Sequence, residues 1–165
     1  MRVLIAGVGN VLRGDDGFGV EVLRRLEPEA GPHAGVTYFE SGIGGVALVQ
    51  QLLDGYDALI ILDALDRGAA PGTVYVLEPD ARALAGSREP VDPHQAGPDG
   101  VIRMATALGV LPPQVWVVGC QAAACDELGA GLSEPVRRAV PVALQRVYDI
   151  LATLRGSTGE AHGRA

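Results

Sequence analysis

The sequence predicts one α/β domain: a three-layer α/β/α sandwich around a five-stranded, mixed but mostly parallel, twisted sheet. Three observations carry that expectation. Short runs such as Val3 to Ala6 and Ala58 to Leu62 are apolar at consecutive positions, as in strands covered by helices on both faces. Between such runs lie segments whose apolar residues recur at helical spacing. The chain has 165 residues, 48% of them hydrophobic, enough for one sizeable core without covalent staples. It shows no internal repeat and no linker, so residues 1–155 are expected to form the domain and 156–165, small and polar, a flexible C-terminal tail.

Val3 to Ala6, stopped by Gly7, reads as the first strand, and Gly19, Val22, Leu23 and Leu26 form the stripe of a first helix. Val36 to Phe39 reads as a second strand, Val46 to Leu53 as a second helix, and Ala58 to Leu62 as a third strand ending at Asp63. Val74 to Leu77 follows after a connection too short for a parallel crossover, so this fourth strand should run antiparallel. Beyond a Pro- and Gly-rich loop, Arg88 to Gly100, come a helix from Val101 to Leu108 and a fifth strand from Val115 to Val118. The last helix shows Val136, Val140, Leu144, Val147, Leu151 and Leu154 on one face, and Pro141 should kink or divide it.

Composition excludes several functions. Thirteen basic against twenty acidic residues leave a net charge of -7, the wrong sign for nucleic acid or an anionic membrane surface. All thirteen basic residues are Arg, which removes lysine Schiff bases, a Walker-type phosphate lysine and a Ser-Lys dyad. No apolar run is long enough to span a membrane, the start lacks the pattern of a signal peptide, and two cysteines are too few for a disulfide framework, so a cytoplasmic protein is expected.

The first strand–turn–helix holds Gly7-Val8-Gly9-Asn10-Val11-Leu12, a partial dinucleotide fingerprint in which Leu12 replaces the third glycine and Arg13-Gly14-Asp15-Asp16-Gly17 is inserted before the helix. Two carboxylates there oppose a pyrophosphate, and no organic cofactor is expected. Asp15 and Asp16 can serve as helix caps, which explains one acidic residue better than two. Asp63 can simply end its strand by opening the turn to Asp66. Yet both segments lie at carboxyl ends of strands, where open α/β sheets place ligands. His94, in the loop Asp92-Pro93-His94-Gln95, adds a nitrogen to the carboxylates of Asp16 and Asp63, a set able to hold a divalent transition metal with positions left open. Cys120 and Cys125 have no second pair and read as buried or spare thiols; His33 falls in a Gly/Pro turn and His162 in the tail. Ser41 before Gly42-Ile43-Gly44-Gly45 does not make a nucleophile elbow; the glycine cluster reads as a loop at the sheet rim.

Gly7-Val8-Gly9-Asn10-Val11-Leu12-Arg13-Gly14-Asp15-Asp16-Gly17-Phe18-Gly19, followed by Ile61-Leu62-Asp63-Ala64 and then Pro93-His94-Gln95, resembles the hydrogenase maturation endopeptidases of the nickel-iron hydrogenases. The resemblance extends in motif order and spacing to about Leu154, and the opening motif is its specific part. It implies a five-stranded α/β/α sandwich and an aspartate-dependent peptidase that removes a C-terminal extension from the nickel-loaded precursor of a hydrogenase large subunit. It further implies that Asp16, Asp63 and His94 are the catalytic and metal-binding residues, with the nickel supplied by the substrate, and a monomer whose partner is that precursor. Asp15 and Asp66 are then candidates for supporting or general-base carboxylates. Two other readings use the same residues: a metal-dependent hydrolase of another substrate with a resident metal, and a non-enzymatic nucleotide- or metal-binding module.

Overall fold

The computed structural model describes residues 1–30, 34–80, 97–123, 128–129 and 131–160, with side chains for all of these except 27–30 and 157–160. In chain order the elements are β1 (Val3–Val8), a 3-10 turn (Gly14–Gly17), α1 (Phe18–Ala30), β2 (Val36–Gly42), α2 (Gly45–Leu52) and β3 (Ala58–Leu65). They continue with β4 (Val74–Leu77), α3 (Pro98–Ala107), β5 (Gln114–Gln121) and α4 (Glu134–Glu160). The sheet order is β2-β1-β3-β5-β4. β1 pairs in parallel with β2 and β3, β3 in parallel with β5, and β4 antiparallel with β5, as the short connection before Val74 requires.

Alternation along the strands divides the core into two layers. Val3 and Ile5 of β1 and Ala58, Ile60 and Leu62 of β3 pack with Phe18, Val22 and Leu26 of α1 and Val140, Val147 and Leu151 of α4. Leu4, Ala6 and Val8, with Leu59 and Ile61, face Leu48 and Leu52 of α2 and Val101 and Ile102 of α3. Each fully buried Leu, Ile or Val contributes about 1.5–3 kcal/mol relative to exposure, which is why the two central strands are apolar at every core position. The sandwich is therefore the one the apolar runs predicted.

Among the differences from the sequence expectation, three have a clear physical reason. β1 continues through Gly7 to Val8, because Gly7 serves helix packing: a Cβ there would lie 2.8 Å from the Gly19 carbonyl oxygen. β3 does not end at Asp63 but pairs with β5 as far as Leu65, opposite Gln121, so Asp63 is a strand residue rather than a terminator. Pro141 does not divide the last helix. It sits on the exposed side of α4 while Val140 and Leu144 stay buried, so the missing N–H falls where water can take the orphaned carbonyl. α4 runs on to Glu160, and 161–165 lie outside the described residues.

The topology dictates where a ligand fits. From β1 the chain moves through α1 to β2 on one side, then through α2 to β3 on the other side of β1. β1 leads through α1 toward one edge of the sheet and β3 leads to β4 at the other, so the connections leaving β1 and β3 diverge and open a crevice at their carboxyl ends.

Candidate active site

That crevice is a cavity of about 510 Å³. Gly9, Asn10, Arg13 and Asp16 of the β1–α1 connection line it, together with Ile43 from the loop after β2, Asp63 of β3, and Gly97. The connection is shaped by its own backbone groups. Asn10 Oδ1 accepts from the Leu12 N–H at 2.9 Å, the Arg13 N–H donates to the Asn10 carbonyl at 2.9 Å, and the Asp16 N–H donates to the Arg13 carbonyl at 3.1 Å. Asp16 Oδ2 accepts from the Asn10 N–H at 2.8 Å, which fixes the carboxylate toward the cavity. Gly9 has φ +119°, and a Cβ on it would overlap the Asp16 carbonyl oxygen, so only glycine allows this approach.

Asp63 enters from the neighbouring strand. Its side chain is 6% exposed, and Oδ1 accepts from the Ala64 N–H at 2.8 Å. Burial, then the Asp16 carboxylate, push its pKa from 3.8 up to about 8, against a small opposing effect of the Ala64 N–H. A divalent cation between the two carboxylates would remove that penalty, which is the chemistry expected of a cation site. Among the described residues no third His, Cys, Asp or Glu completes such a group. His94, the third ligand predicted, lies outside the described residues, as does Cys125. Gly97, three positions after His94, lines the cavity.

Asp15 faces away and has a separate task. Only 1% exposed, it accepts from the Ala123 N–H at 2.8 Å, the Ser133 N–H at 2.6 Å and the Ser133 hydroxyl at 2.9 Å. It thus clamps the 3-10 turn to the end of β5 and the start of α4. Asp66 is a partner of Gln121, whose Nε2 donates to it at 3.1 Å while Gln121 Oε1 accepts from the Arg67 N–H at 2.8 Å. Cys120 is buried, and its thiol is pushed up to about 11 by burial and then by Asp15, so it is a core thiol and not a nucleophile.

Sequence reasoning passed over Asn10, Arg13 and Gln121. Asn10 had a signal, its place directly after Gly9 at a strand end, where an Asx turn is common. Gln121 had none, since its partners Asp66, Arg67 and Ala69 lie more than fifty residues away in the chain.

Residues 20–150 match the profile of a family described as HycI, hydrogenase maturation protease. The chain belongs to the hydrogenase maturation protease family. It is 33% identical over 150 residues to the hydrogenase expression/formation protein HupD of Rhizobium leguminosarum bv. viciae, covering 91% of this chain and 74% of that protein. It is 33% identical over 162 residues to the hydrogenase 2 maturation protease of Escherichia coli K12, covering 98% and 95% of the two chains. Its fold is similar to that of the hydrogenase maturating endopeptidase HybD from E. coli, with a TM-score of 0.76 at 32% identity over 95% of this chain and 94% of that one. The family is one of peptidases, so the non-enzymatic alternative falls away. Among the described residues no helix is long and apolar enough to cross a membrane.

Proposed function

We propose that this protein removes the C-terminal extension from the nickel-loaded precursor of a nickel-iron hydrogenase large subunit, and that the substrate's nickel is its recognition element. The observation that carries this is the convergence of Asp16 and Asp63, from separate segments, on one cavity at the carboxyl edge of the sheet. Two carboxylate oxygens, joined by an imidazole of His94, hold nickel without saturating it, so the ion can keep thiolate ligands of the precursor at the same time. Nickel then belongs to the substrate and ties the precursor to the cleft, which orients the scissile bond. Ile43, 60% exposed on the cavity wall, offers an apolar contact suited to a protein substrate. We further infer that it acts as a cytoplasmic monomer without an organic cofactor.

The test is substitution of the three ligands. Asp16→Asn, Asp63→Asn and His94→Ala should each lower processing of the nickel-loaded precursor by about a hundredfold or more, with a cooperative thermal transition retained. Processing by Asp63→Asn at the unmodified rate would remove its ligand role.

A further inference from the structure

The cleft is lined by one arginine, Arg13, that nickel binding does not use. Arg13 lines the same cavity as Asp16 and Asp63, yet among the described residues its guanidinium pairs with neither and with no other carboxylate. Arg24, Arg25, Arg137, Arg138 and Arg146, by contrast, each pair with a carboxylate. Arg13 is held from both sides of its backbone, by the Asn10 carbonyl at 2.9 Å and the Asp16 N–H at 3.1 Å, so its side chain starts from a fixed point. Asp16 Oδ2 already accepts from the Asn10 N–H, and Asp63 is buried in the strand. Among the described residues no side chain claims the guanidinium, which suits it to an anion that enters the cleft.

Peptide hydrolysis creates such an anion. The bond between the acyl carbon and the amide nitrogen breaks, the water oxygen bonds to the acyl carbon, one water proton goes to the leaving amine, and the acid formed ionises at neutral pH. A carboxylate then appears in a cleft already lined by Asp16 and Asp63. We propose that Arg13 donates to the carbonyl oxygen on the acyl side of the scissile bond and, after the cut, holds the carboxylate it becomes. A guanidinium suits both states, since its fork donates to one oxygen or bidentately to two. The inference rests on the protease function proposed above.

The experiment compares wild type, Arg13→Gln and Arg13→Lys on the nickel-loaded precursor, with kcat and KM read separately. It also compares two competitors, a peptide ending at the cut site as the free acid and the same peptide as its C-terminal amide. Arg13→Gln should lower kcat about tenfold or more, with a smaller change in KM and an unaltered thermal transition; Arg13→Lys should recover part of the loss. The acid should inhibit wild type more strongly than the amide, and Arg13→Gln should lose that preference. Wild-type kcat in Arg13→Gln, or an acid-over-amide preference that survives it, overturns the role of Arg13 and leaves the protease function standing. A wild-type protein that does not cut the precursor overturns both.

Discussion

A carboxyl group buried at a strand and facing a second carboxylate resists ionisation, and Asp63 is in that position before any cation arrives. Its pKa is raised from 3.8 to about 8, so between those values the folded state binds more protons than the unfolded chain, and stability falls as pH rises through that window. In metal-depleted protein Asp63→Asn should therefore unfold at least about 2 °C higher than wild type at pH 8, and the gap should close toward pH 4. Differential scanning calorimetry across that range checks it; a gap that widens toward acid would show that Asp63 is ionised and stabilising in the free protein. The residue's importance was legible in the sequence because an acidic side chain ends an apolar run. Its continuation within the strand was not, because pairing with β5 as far as Leu65 is a property of the neighbour. Asp15 shows the same limit: beside Asp16 in sequence, it turns to Ser133 and Ala123, partners more than a hundred residues away that no local pattern reveals.

At the scale of elements, the site depends on how closely α1 approaches the sheet. Gly19 stands against the carbonyls of Leu62 and Val8, and a Cβ there would overlap the Leu62 oxygen and lie 2.5 Å from that of Val8. The close contact between helix and strand that the partial dinucleotide fingerprint lacked at Leu12 is thus made seven positions later, after the acidic insertion. Gly19→Ala should push α1 outward, destabilise the domain by about 1–3 kcal/mol and impair processing, because Asp16 and Asp63 sit on either side of that contact. A urea titration should show a lower midpoint with an unchanged slope. Full stability in this variant would mean that the contact has room to spare. The strands and helices themselves were legible, as apolar runs and helical stripes, down to the antiparallel β4. Their ends were not, since Gly7 and Asp63 carry the usual signs of a strand stop and here serve packing and the cavity instead.

For the whole molecule, the strand order places the turning point of the chain at β1, with α1 and α2 on opposite faces, and the crevice there collects Asp16 and Asp63. Two features agree with what that crevice is proposed to do. An acidic chain without lysine suits a cation-seeking site, and the exposed Ile43 on its wall suits a folded partner. The central claim is that the cation arrives with the substrate. The most direct measurement is cleavage by metal-depleted enzyme, in metal-depleted buffer, of the same large-subunit precursor prepared with and without nickel. The nickel-loaded precursor should be cut and the nickel-free one should stay intact, since only the former brings the ion that Asp16, Asp63 and His94 are proposed to bind. Cleavage of the nickel-free precursor at a comparable rate would contradict the account.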